Sequence, residues 1–171
     1  MIFTKHLTIR KFTIEDLLMY FENSWDELIK KYDPYRFYAD ENKARKDLEL
    51  YISNYSAKKS PYDFPYYLAV VKTDINKLIG LIGIGGLDIS ETERGYELEY
   101  LIRKDYRGFG YGTEALKAFA PWCKKEFGID KIYAMVHQEN IASYKALLNA
   151  GFTIFEGAIK NKKPQRNAYV F

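Results

Sequence analysis

At 171 residues the chain has the length of one domain, enough to bury roughly 70% of its unfolded surface. Its 26 Lys and Arg against 23 Asp and Glu leave +3, a near balance that excludes the one-sided basic surface of a dedicated nucleic-acid binder. Hydrophobic residues at 47% exclude disorder, and one cysteine with two histidines, Cys123, His6 and His137, leaves neither a disulfide framework nor the ligands of a zinc site.

Residues 2–10 alternate as a short strand, and Thr13 followed by Asp16 forms a capping-box pattern for a helix with Ile14, Leu17, Leu18 and Phe21 inward. A second helix is capped by Asp40 and carries Ala44, Leu48, Tyr51, Ile52 and Tyr55 on one face. Two aromatic loops, 32–38 and 60–67, lie between and after these helices. Residues 67–72 and 77–84 read as a hairpin around 73–76, and 96–103 as a third strand. The longest uncharged apolar run, 78–87, is ten residues with four glycines, short of the roughly 18 a membrane span needs. The first residues also lack the apolar core of a signal peptide, so the expectation is a cytoplasmic protein with no membrane partner.

From Gly112 the pattern is helical, with Ala115, Leu116, Phe119, Ala120, Cys123 and Phe127 on one face and Gly128 at the end. A strand at 131–137 follows, then a helix capped by Asn140 that carries Ile141, Tyr144, Leu147 and Leu148. A strand pair near 152–159 and 166–171 completes the chain. A central meander followed by alternating helices and strands predicts a single α/β domain over 1–171, with a mixed, mostly antiparallel sheet flanked by helices.

Eight of the eleven glycines fall between Gly80 and Gly112, which is where a ligand is expected. In the stretch from Tyr96 to Thr113 a strand runs into a turn with glycines at 108, 110 and 112 that opens a helix. Main-chain N–H groups can converge there on an anion at the helix's positive end, with Arg107 adding a cationic fork. No lysine follows a glycine in the register of a nucleoside-triphosphate loop. The segment from Gly110 to Ala115 does match the dinucleotide pattern G-x-G-x-x-A, but Asp130, the acidic residue about 20 positions on, stands before the next strand and not at its carboxyl end.

The pattern Arg107-x-x-Gly110-x-Gly112 resembles the pyrophosphate loop of the GNAT N-acetyltransferase superfamily, [QR]-x-x-G-x-[GA]. Residues 97–102 are similar to that superfamily's fourth strand. Val136 to Ser143 is similar to the V-h-x-x-N-x-x-S segment of its ribosomal-protein N-acetyltransferase-like branch, and Leu148 to Phe152 to its L-x-x-G-F. The resemblance implies a GNAT-like fold, with the sheet splayed in the middle and acetyl-CoA between the strands ending near Arg103 and His137. Leu101, Ile102 and Arg103 would meet the pantetheine arm through main-chain hydrogen bonds. Arg107, Gly108, Phe109, Gly110, Tyr111, Gly112 and Thr113 would hold the diphosphate, and Asn140 would reach the arm.

Acetyl transfer to an amine needs a base, a polarised carbonyl and a proton for the leaving thiolate. Glu97 is the candidate base; the same pattern, Glu97 and Glu99 on one strand face, also suits a solvated or ion-paired couple. The superfamily often has a tyrosine seven residues after the motif asparagine, where this chain has Leu147. The resemblance to the ribosomal-protein branch implies Ser143, three after Asn140, as the acid in its place, with Tyr144 as a second choice; the same positions also suit helix capping and core packing, and an oxyanion donor is sought in a main-chain N–H near Leu101. His137 reads as hydrogen-bonded, Cys123 as core. The basic run Lys160, Lys162, Lys163 and Arg166 is either a solvated hairpin or a contact for the 3′-phosphate or an acidic acceptor. Tyr32, Tyr35, Phe37, Tyr38, Tyr62, Phe64, Tyr66 and Tyr67, with Asp33 and Asp63, either pack on the sheet or line an amine pocket.

The expected activity is metal-free transfer of an acetyl group from acetyl-CoA to a primary amine, by a monomer or homodimer. The alternatives are an acyl-CoA sensor without turnover and a dinucleotide-dependent oxidoreductase.

Overall fold

The computed structural model describes residues 1–56, 60–160, 162 and 165–171. The strand expected over 2–10 is a hairpin of β1 (Ile2–Phe3) and β2 (Leu7–Arg10). It turns at Thr4, whose N–H donates to the Leu7 carbonyl at 2.9 Å and whose hydroxyl donates to Glu114 Oε1 at 2.6 Å. Both arms of the Thr13/Asp16 capping box are present. A tight 3-10 turn at 14–16 precedes α1 (Leu17–Asn23) and changes the angular step per residue, so Leu17 and Tyr20 are buried while Ile14 and Leu18, expected inward, are exposed.

Helix α2 (Glu27–Tyr32) was not expected, because six residues are too few to display a period. Its start is fixed by Asp26, whose Oδ1 accepts from the Leu28 N–H at 2.8 Å. Helix α3 (Glu41–Asn54) is capped as expected by Asp40, which accepts from the Lys43 N–H at 3.0 Å.

The remaining strands are β3 (Tyr66–Lys72), β4 (Lys77–Asp88), β5 (Arg94–Ile102), β6 (Tyr133–His137), β7 (Thr153–Phe155) and β8 (Arg166–Val170). Helix α4 (Tyr111–Phe127) connects β5 to β6, and α5 (Ile141–Asn149) follows β6. Strand β4 runs past the expected end at 84 because its partner β5 continues to pair with it as far as Arg94 opposite Asp88.

Among the described residues the strands form one sheet in the order β1-β2-β3-β4-β5-β6-β8-β7. All neighbours are antiparallel except β5 and β6, whose parallel pairing is a single register position, Glu97 opposite Tyr133. Beyond that position toward Ile102 and His137 no further pair forms, and the sheet forks. This is the splay the resemblance implied. It also removes the dinucleotide reading, which requires a parallel sheet with helices on both faces.

Each face of the sheet is sealed by a separate core. Helices α4 and α5 cover Ile82, Ile84, Leu98 and Ile102 with Leu116, Phe119 and Leu147. Helices α1 and α3 cover Tyr67, Val71 and Leu81 with Leu17, Tyr20 and Leu48. The fork is therefore the place where the two faces communicate through the sheet.

Candidate active site

A cavity of about 510 Å³ occupies the fork, a size suited to a small-molecule ligand. Its walls include Leu98, Ile102, Val136 and Leu147 from one core and Leu81 and Leu101 from the other face, so it passes through the sheet. Glu97 lines it at the point where β5 and β6 part.

The main chain of β5 offers hydrogen-bonding groups to this cavity in alternation. The Arg103 N–H donates to the Ile79 carbonyl at 2.8 Å, and Leu101 pairs with Leu81. In an antiparallel ladder this turns the groups of Leu101 and Arg103 toward β4 and those of Tyr100 and Ile102 toward β6. The main-chain groups of Leu101 and Arg103, expected to meet an acyl carrier, are thus turned to β4, and those of Tyr100 and Ile102 are the ones that face the fork. Leu101 keeps its side chain in the cavity wall. Arg103 leaves the site altogether, its guanidinium 3.7 Å from Asp105 and 3.9 Å from Glu22.

The glycine turn is shaped as a cradle. Gly108 and Gly110 both have φ of +83°, and Cβ atoms built on them meet nothing within 4 Å, so the space above the turn is open. Gly112 is needed for a different reason: a Cβ there would press on the Tyr100 ring at 2.9 Å. The first intrahelical bond of α4 is from the Glu114 N–H to the Gly110 carbonyl at 2.9 Å, so by helix geometry the N–H groups of Tyr111, Gly112 and Thr113 have no intrahelical acceptor. That is the donor set an anion at a helix N-terminus requires. Arg107 plays a part the sequence did not predict. Its Nε–H donates to the Ile102 carbonyl at 2.8 Å and its Nη2 lies 2.8 Å from Asp26, tying the turn to the end of β5 and to the start of α2. Phe109, expected in the cradle, is 70% exposed and stacks on Tyr111 outside the cavity, because the two flanking positive-φ glycines swing it outward.

Across the fork, Asn140 caps α5, its Oδ1 accepting from the Ser143 N–H at 3.2 Å, which leaves its Nδ2 as a donor. Ser143 Oγ in turn accepts from the Tyr100 hydroxyl at 3.3 Å. Burial pushes the Tyr100 hydroxyl above its ordinary range, so it remains a proton donor at neutral pH. Tyr100 escaped the sequence reading, although alternation along β5 sets it on the Ile102 face, toward α4 and α5. Tyr144 packs on Tyr169 at 5.9 Å between ring centres and does not line the cavity, whereas Leu147 does.

On the α2 side the wall carries Tyr32, Asp33, Arg36, Glu99 and Arg166. Arg36 holds Asp33 at 2.9 Å and also pairs with Glu99, which accepts from the Tyr67 hydroxyl as well. Burial pushes the Glu99 carboxyl up, but Arg36 and Tyr67 outweigh it and hold the group below its ordinary range. Glu99 is thus ion-paired, the bland half of the reading given to the two glutamates. Most of the aromatic loops also take the bland part. Tyr38 is buried against Tyr20 and Asp47, Tyr66 packs over Trp122 and Phe127, Tyr62 bonds Asp88, and only Tyr32 faces the cavity.

His137 is bonded at both ring nitrogens, to Gln165 at 3.2 Å and to the Glu139 N–H at 3.2 Å. Cys123 is fully buried, and burial pushes its thiol far up, as suits a core residue. Of the basic run, Lys160 pairs with Glu91 at 3.0 Å, Lys163 lies outside the described residues, and among the run's described residues Arg166 alone lines the cavity. A wider cleft beyond the cradle shares Gly110 and Thr113 with it and brings in Lys5 and Lys117, cations that sequence spacing could not place together. Among the described residues no three His, Cys, Asp or Glu gather as a metal site, and no helix is long and apolar enough to cross a membrane.

Comparison with known proteins identifies the family. The family model for the acetyltransferase (GNAT) domain matches residues 6–153, and the chain belongs to that family. It is 24% identical over 151 residues to the uncharacterised N-acetyltransferase p20 of Bacillus licheniformis, covering 88% of this chain and 81% of that protein. Its fold matches a GNAT-family acetyltransferase from Bacillus anthracis with a TM-score of 0.75 at 24% identity, over 99% of this chain and 96% of the other. It also matches a ribosomal L7/L12 α-N-protein acetyltransferase crystallised with coenzyme A, TM-score 0.77 at 12% identity, over 98% and 94%. The protein is an acetyl-CoA-dependent N-acetyltransferase of the GNAT family.

Proposed function

We propose that the protein transfers the acetyl group directly to a primary amine, on a small molecule or a protein N-terminus, with Glu97 as base and Ser143 as acid. The observation that carries this reading is that one cavity in the fork is lined by Glu97, Ser143, Asn140 and, Phe109 excepted, the turn from Arg107 to Thr113. Acetyl-CoA supplies the activated thioester. The amides of the turn, at the positive end of α4, suit its diphosphate, and the donors of Tyr100 and Ile102 suit the arm.

Glu97 takes a proton from the acceptor ammonium, directly or through water, and frees the nitrogen to bond the thioester carbon as the carbon–sulfur bond breaks. A main-chain N–H of β5 facing the fork stabilises the carbonyl oxygen. Ser143 gives its hydroxyl proton to the departing sulfur and takes one from the Tyr100 hydroxyl bonded to it, while the second proton of the attacking nitrogen passes through water to Tyr100, so that coenzyme A leaves as the thiol and the amide is neutral. The test is coenzyme A release over a panel of amines with wild type and Glu97→Gln. The reading requires amine-dependent release that Glu97→Gln depresses, and it fails if no amine raises release above hydrolysis.

A further inference from the structure

We infer that the acceptor amine itself carries a carboxylate, which Arg166 recognises. This rests on the acetyl-transfer reading and extends it to the acceptor's second functional group.

The inference comes from the charges on the α2 side of the cavity. Arg36 is committed, its Nε to Asp33 and its Nη2 to Glu99 and Tyr67, and both carboxylates are thereby answered. Arg166 is held differently. Its Nη2 donates to the Tyr32 carbonyl at 2.6 Å and its Nη1 to the Met135 carbonyl at 3.3 Å. These acceptors are neutral and fix the plane of the guanidinium, while the Glu99 carboxylate, itself paired with Arg36, feels the Arg166 charge from beyond ion-pair distance.

Among the described residues no carboxylate lies within ion-pair distance of Arg166. Two of the five guanidinium N–H donors are used, which leaves about three for the cavity that Arg166 lines. Its cross-strand partner His137 is engaged at both nitrogens and offers no anion. A pre-oriented fork with free donors and no carboxylate in direct contact, on the same cavity as Glu97, suits a planar carboxylate bound side-on.

The experiment compares amino acids with their amides and decarboxylated amines, for instance tyrosine, tyrosinamide and tyramine, as acceptors for wild type, Arg166→Gln and Arg166→Lys. Wild type should favour the carboxylate-bearing member in kcat/KM by at least about tenfold, the worth of one charge-assisted hydrogen bond. Arg166→Gln should erase that ratio and Arg166→Lys should restore part of it. A merely structural Arg166 would lower all three acceptors together, and that result, or a wild-type preference for carboxylate-free amines, overturns the inference. If Arg166→Gln does not fold, the lysine variant and the wild-type ratio still decide. Thermal stabilisation of wild type by acetyl-CoA, measured alongside, separates the two levels: its absence overturns the underlying reading, while its presence with turnover of carboxylate-free amines alone overturns only the inference.

Discussion

The Nε–H of Arg107 donates to the main-chain carbonyl of Ile102 at 2.8 Å, so the residue that opens the glycine turn is fastened to the last residue of β5. The same guanidinium reaches Asp26, the cap of α2, whose side chain is only 8% exposed. One side chain thus registers the glycine turn, the end of β5 and the start of α2 against one another. Arg107→Ala and Asp26→Asn should each cost about 1–3 kcal/mol in denaturant unfolding, because each leaves a charge or a buried polar group without its partner. The double variant should cost less than the sum, since both changes remove one interaction. Additive losses would mean that the pair is not coupled.

Gly110 has to be tested with its backbone in mind. A β-branched residue at φ +83° would strain the empty fold, and a loss of binding would then be uninterpretable. Asparagine tolerates this conformation, and its side chain would project into open space above the turn. Gly110→Asn should therefore stay within about 1 kcal/mol of wild type in stability. It should weaken acetyl-CoA binding by at least about tenfold in calorimetric titration. Unchanged affinity would remove the cradle from the binding site.

The turn, its helix and the motif residues around it were legible in the sequence because each depends on local spacing. Glycines at 108, 110 and 112, the Asn140 cap and the helix face of Ala115, Phe119 and Cys123 need no knowledge of the rest of the chain. What stayed hidden depends on contacts made at long range. Helix α2 is too short to show a period, yet it supplies Tyr32 to the site and, with Asp26, an anchor for Arg107. Arg36 and Glu99 are 63 residues apart, and no spacing rule joins them. The exclusion of Arg103 follows from strand register, which the sequence alone does not set.

Ser143 and Tyr144 are adjacent in sequence and differ in surroundings, which gives a paired test of the acid. Ser143→Ala should lower kcat by about tenfold or more and leave the KM for acetyl-CoA nearly unchanged, as removal of a proton donor does. Tyr144→Phe, outside the cavity, should leave kcat within about twofold while its packing on Tyr169 is kept. The opposite order would transfer the role to Tyr144.

Glu99 supplies a pH signature. Its carboxyl is held below the ordinary range in the folded protein: burial opposes this, while Arg36 and Tyr67 prevail. A group depressed on folding contributes stability that is fully present above the unfolded value, about 4.3, and is lost as pH falls through the folded value. Glu99→Gln should thus be less stable than wild type at pH 7 by about 1–2 kcal/mol, a modest figure because the carboxylate is partly exposed. The gap should narrow as pH drops below about 4. A gap that widens on acidification would contradict the ion-pair account.

The central claim is that the turn from Arg107 to Thr113 holds the diphosphate of acetyl-CoA and that the thioester then lies at the fork beside Glu97. A crystal structure with a non-hydrolysable acetyl-CoA analogue tests it most directly. The account predicts diphosphate oxygens within hydrogen-bonding distance of the amides between Gly108 and Thr113, the arm along the β6 side of Tyr100 and Ile102, and the acyl carbonyl in the cavity lined by Glu97. A diphosphate bound away from that turn, or an acyl group outside the fork, would contradict it.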